Sequence, residues 1–117
     1  MNRKKGFVLY LDNLECIRSL SNLQLGILFR ALNCYGMASA EGPLEETPEP
    51  VALLANFPDM DPATVMAYCF MADSIYRDTL KWKTKQRNYC DAAKERSRRS
   101  REDVISELRS PRFGEGL

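Results

Sequence analysis

The chain has 117 residues, 17 Lys and Arg against 16 Asp and Glu, and a hydrophobic fraction of 44%. That composition fits one soluble globular domain with room for extensions. No apolar run approaches the roughly 20 residues of a membrane span, and the absence of His removes the commonest general acid–base group.

From the N-terminus, residues 1–6 form a basic lead, followed by Phe7-Val8-Leu9-Tyr10-Leu11. The apolar stretch stops at Asp12, too short for the core of a signal peptide, and no small-residue cleavage site follows. The chain therefore reads as cytoplasmic. Phe7–Tyr10 suits either a short extended segment or the first turn of a helix. Asp12 with Glu15 three residues on predicts a short helix over roughly 12–19.

Ser21-Asn22-Leu23-Gln24 reads as a capping box. Ser21 accepts from the Gln24 amide, and the Gln24 side chain returns to the Ser21 amide. Leu20 and Leu25 form a hydrophobic staple across that start. Leu25, Leu28, Phe29, Leu32 and Tyr35 then recur at helical steps, beside a second stripe of Leu23, Ile27, Ala31 and Cys34. The pattern predicts a central, mostly buried helix over 21–35, with Gly36 as its C-cap.

Residues 36–61 hold Gly42, Pro43, Pro48, Pro50 and Pro58 among acids, an acidic loop read as a flexible, solubilising connection. Within it, Val51–Ala55 can form one or two helical turns. Asp61-Pro62 opens the third helix, with Asp as cap and Pro at the first helical position. Val65, Tyr68, Cys69, Ala72, Ile75, Tyr76, Thr79 and Trp82 keep helical spacing, and no Gly or Pro occurs from Ala63 to Ser110. The helix is expected to run past residue 93, with a disordered tail over 110–117.

The fold expected is all-α: about three main helices, a short N-terminal extended segment and a long basic C-terminal helix that projects outward. Residues 1–93 make the helical domain, and 94–117 a basic helical extension with a flexible tail. Cys16, Cys34, Cys69 and Cys90 have no Cys-x-x-Cys spacing. They read as small buried hydrophobes, with no metal site and no cofactor.

The main functional signal is the separation of charge. Residues 31–75 carry Glu41, Glu45, Glu46, Glu49, Asp59, Asp61 and Asp73 and no Lys or Arg. Residues 77–102 carry ten basic residues against four acidic ones, a net of +6. Lys81, Lys85, Arg87, Lys94, Arg96, Arg98, Arg99 and Arg101 are the candidate contacts to DNA or RNA. Cations draw phosphates through counterion release, and interleaved aromatics can stack on exposed bases. The bland reading is a solvated helix face, or a partner for the acidic stretch. Trp82, Tyr89, Cys90 and Ala93 leave apolar surface on the projecting end, which suggests self-association and a homo-oligomer. No combination of residues suggests catalysis.

The order Phe7-Val8-Leu9-Tyr10, Leu20-Ser21, Gln24-Leu25-Gly26-Ile27-Leu28-Phe29-Arg30-Ala31-Leu32 with Tyr35, then Phe70, Met71, Ile75, Arg77, Asp78 and Lys81-Trp82, resembles an uncharacterised family of small bacterial and prophage proteins, domain of unknown function 6291. The resemblance covers roughly residues 6–90. It implies an accessory protein of phages and mobile elements, acting near DNA replication or regulation. Two departures stand out: a longer loop over 36–61, and an Arg-rich stretch after Tyr89 where the family turns to a Gly/Lys-rich linker. The function expected is a non-enzymatic nucleic-acid-binding protein. The alternative is a protein–protein adaptor or self-associating protein that uses the long helix and the acidic loop.

Overall fold

The structure is a computed structural model that describes residues 3–10, 12 and 14–108. The expected tail at 110–117 lies outside them. The chain is all-α: α1 spans Leu14–Ile17, α2 Asn22–Ala40 and α3 Pro62–Leu108, with 3-10 turns at Leu44–Glu46 and Pro50–Asn56. Among the described residues there is no strand, and Phe7–Tyr10 is neither helix nor strand. Two compact units divide the chain, Met1–Lys83 and Thr84–Leu117.

In the first unit α2 begins where the sequence places it: the Ser21 hydroxyl accepts from the Gln24 amide at 3.1 Å. The reciprocal half of the box does not form. Gln24 instead donates from Nε2 to the Asp59 carbonyl and accepts from the Asp61 amide, both at 3.0 Å. The side chain satisfies the backbone just ahead of α3, ties the two helix starts together, and leaves the Ser21 amide out of the exchange.

Gly36 does not end α2. The helix runs on to Ala40, with Glu41 at the cap and Gly42 next at φ +78°, the left-handed conformation that glycine adopts without a steric penalty. Gly36 serves packing instead. A Cβ built there would meet Phe7 Cδ1 at 2.7 Å and Cε1 at 2.8 Å, so the phenyl ring lies directly on the helix backbone. Gly36→Ala should displace Phe7 while gaining about 1 kcal/mol of helix propensity. The expected result is faster amide exchange at residues 7–10 with only a small change in Tm.

The core joins Leu28, Ala31, Leu32 and Tyr35 of α2 to Ala67, Tyr68, Met71, Ala72 and Ile75 of α3, with Leu20 and Met60 alongside. Each large apolar side chain buried this way contributes about 1.5–3 kcal/mol. Asp61 caps α3, accepting at Oδ1 from the Thr64 amide and hydroxyl, both at 2.8 Å; these bonds hold its carboxyl below the ordinary carboxylate range.

The acidic loop is pinned, which corrects the flexible connection expected of it. Tyr35 donates to the Pro48 carbonyl at 2.7 Å and Tyr68 to the Pro50 carbonyl at 2.6 Å. Leu53 and Leu54 of the second 3-10 turn pack on the core. Proline lacks an amide donor but keeps its carbonyl, so buried phenols beneath such a loop find ready acceptors.

Burial pushes both phenols up, Tyr68 to about 12. Below pH 10 the phenols are protonated in folded and unfolded chains alike, and their contribution is complete. As pH rises above 10 the unfolded chain loses these protons first, and stability falls up to the folded value. Lys83 runs the other way, because burial lowers it and the unfolded chain keeps that proton longer. With two phenols against one ammonium, the urea midpoint should be lower at pH 11 than at pH 8.

Candidate nucleic-acid interface

Within the first unit the basic series is not uniform. Lys81 is exposed and Trp82 half-buried, whereas Lys83 is only 5% exposed. Its Nζ donates to the Glu41 carbonyl at 2.9 Å and to Thr47 Oγ1 at 2.7 Å. It places a cation at the C-terminus of α2, where the helix dipole favours one. The signal for this was in the sequence: the stripe that buries Tyr68, Ala72, Ile75 and Thr79 reaches Lys83 four residues later. Arg77 pairs with Asp73 at 3.1 Å, and Tyr10 donates to Asp78 Oδ2 at 2.6 Å, which raises the Tyr10 phenol.

The second unit holds the other candidates on the part of α3 from Thr84 onward. Lys85, Arg87, Lys94, Arg96, Arg98, Arg99 and Arg101 are all exposed. At about 100° per residue they form two rows. Arg87, Lys94, Arg98 and Arg101, at steps of seven, four and three, share one side. Lys85, Arg96 and Arg99 share the other. Between the rows on one arc lie Asp91, Glu95 and Glu102. On the opposite arc lie Tyr89, Cys90, Ala93, Ser97 and Ser100, uncharged and exposed, Tyr89 at 71%.

Both rows lean in part on the acidic arc. Arg98 bridges Glu95 at 2.6 Å and Glu102 at 2.8 Å, and Arg99 reaches Glu95 at 3.2 Å. These bonds hold the Glu95 carboxyl below its ordinary range and raise the Arg98 guanidinium. Exposed pairs of this kind contribute little to stability, so phosphate can compete for the same arginines.

The cysteines depart from the buried reading. Cys16 and Cys69 are half-buried, while Cys34 and Cys90 are exposed; all four are free. Cys34 and Leu23, both in the second apolar stripe expected to be buried, lie on an outer face of α2, Leu23 at 73% exposure beside Met37 at 61%. Periodicity marks a wide apolar arc on α2, and only the structure reveals which part of it is uncovered. Arg30 is the single charged residue between Asn22 and Ala40.

The first unit includes the following two concavities among its described residues. One, of about 510 Å³, is lined by Glu49, Val51, Cys69, Phe70, Asp73 and Tyr76 with Pro50. The other, of about 300 Å³, lies beneath the N-terminal segment, among Arg3, Lys4, Phe7, Asn33, Gly36 and Met37. Arg3 pairs with Glu41 at 3.3 Å, and the Lys4 ammonium donates to the buried Thr79 hydroxyl at 3.4 Å. No group of three or more Cys, Asp or Glu is placed to hold a metal ion among the described residues, and no described helix is long and apolar enough to cross a membrane.

A model of the family of unknown function DUF6291 matches residues 6–102. The chain belongs to DUF6291. The match extends past the end expected at residue 90, so the DUF6291 region includes the exposed basic rows as well as the core. No curated protein and no solved structure matches this DUF6291 chain.

Proposed function

We propose that this DUF6291 protein is a cytoplasmic, non-enzymatic nucleic-acid-binding protein that serves as an accessory factor of a bacterial mobile element. The observation that carries the reading is the exposure of seven cations over residues 84–101, against Asp91 and Glu95 alone, a net of +5. Exposed cations at this density gain affinity for phosphates by releasing condensed counterions.

Fluorescence anisotropy with labelled single- and double-stranded DNA and RNA, at two salt concentrations, tests the reading. Binding that weakens steeply with salt supports it. Absence of binding to all four probes at low salt removes it. Glu95→Gln should strengthen binding severalfold, because it removes the carboxylate that holds Arg99 and leaves Arg98 with Glu102 alone. Unchanged or weaker binding would mean that those arginines do not contact phosphate.

A protein-docking role is the second reading, favoured by the outer face of α2, where Leu23, Phe29 and Met37 are more than 60% exposed around the single charged residue Arg30. Exposed apolar faces of this kind commonly mark contact surfaces. Light scattering at tens of micromolar and nuclease-insensitive co-purification would speak for it.

A further inference from the structure

We infer that the second unit's helix is built to lie in the major groove of B-form duplex DNA, an inference that rests on the nucleic-acid reading above and names its substrate class. The argument is the order of residues around the helix. Going round, it presents an uncharged arc, a basic row, an acidic arc and a second basic row. A single strand, or one wall of a groove, can engage only one such row. A duplex groove has a phosphate wall on each side.

The dimensions agree. An α-helix with side chains is about 10–12 Å across, and the B-form major groove about 12 Å wide. With Tyr89, Cys90, Ala93, Ser97 and Ser100 turned to the groove floor, Arg87, Lys94, Arg98 and Arg101 reach one wall. Lys85, Arg96 and Arg99 reach the other. Asp91, Glu95 and Glu102 then face outward, as far from phosphate as the helix allows. Small residues on the floor-facing arc permit close approach, and the Ser and Tyr hydroxyls can donate to or accept from base edges.

The same residues argue against the competing surfaces. The major groove of A-form RNA is too deep and narrow for side chains to read. A lipid surface would require a strongly apolar arc, whereas this one holds two serines and a single large aliphatic side chain, Val104.

The test uses the full chain with three matched-length probes (duplex DNA, duplex RNA, single-stranded DNA) and vesicles of anionic lipid. Two variants lower the charge by the same amount at exposed helix positions: Ser97→Glu on the floor-facing arc and Asn88→Glu away from it. Circular dichroism confirms that both keep the helix. The expected result is at least tenfold preference for duplex DNA, a loss of tenfold or more in Ser97→Glu, and less than threefold in Asn88→Glu. Equal or tighter binding to RNA duplex, single strand or vesicles overturns the inference, as does an equal effect of the two variants. Absence of binding to any nucleic acid removes the underlying reading as well, and so is told apart from failure of the groove geometry.

Discussion

Changing Arg87, Lys94, Arg98 and Arg101 together to Gln is expected to lower nucleic-acid affinity about a thousandfold at 0.1 M salt while leaving the fold intact. Each phosphate contact adds about 0.9 to the salt exponent of binding, which at 0.1 M is a factor of about eight. Four such contacts multiply to the thousandfold range. The four residues are exposed and project from one side of a helix, so Gln substitutes for them without disturbing packing. Anisotropy checks the affinity and circular dichroism the helix. A loss below tenfold would indicate that this row faces away from the ligand.

Lys83→Met is expected to do the reverse: lower stability by about 2–4 kcal/mol and leave nucleic-acid affinity unchanged. Methionine keeps an apolar stem in the buried position but withdraws the ammonium from the Glu41 carbonyl and the Thr47 hydroxyl. Both acceptors are only part-buried, so leaving each unpaired costs toward the lower end of about 1–3 kcal/mol. The two oxygens belong to the end of α2 and the start of the acidic loop, so the damage should concentrate there. Urea unfolding measures the loss, and amide exchange over residues 41–49 locates it. Stability within 0.5 kcal/mol of the parent chain would show that water replaces the ammonium at little cost. Lys94→Met, at an exposed position of the second unit, serves as the opposite control.

These two lysines illustrate how far the sequence can be read. Helix starts were legible at Ser21 and Asp61, because a capping hydroxyl or carboxylate must sit next to amides that have no other acceptor. The long run of α3 was legible from the absence of Gly and Pro. The end of α2 was not. Gly36 looked like a stop, but the stop lies at Gly42, and Gly36 is small because Phe7 lies on it, a contact between residues 29 positions apart. Long-range partners of this kind leave no local pattern. The same holds for Gln24, whose reach to Asp59 and Asp61 displaced the local capping bond, and for Tyr35 and Tyr68, which pin the loop through carbonyls that every residue has.

The candidate site was legible in composition and not in arrangement. A basic stretch is visible as a count, yet the count treats Lys83 and Lys94 alike. Only the helix, with its fixed angle per residue, sorts the cations into two rows with the acids set between them on one side. The reading of buried thiols failed at Cys34 and Cys90 for a related reason: an apolar stripe marks a face without saying whether anything covers it.

The salt dependence of duplex DNA binding tests the central claim most directly, measured for the parent chain and for the Arg87, Lys94, Arg98 and Arg101 quadruple Gln variant. If these cations contact phosphate, the slope of log K against log salt should be shallower in the variant by about 3–4. Equal slopes for the two proteins would contradict the account and assign the charge on this helix to some other partner.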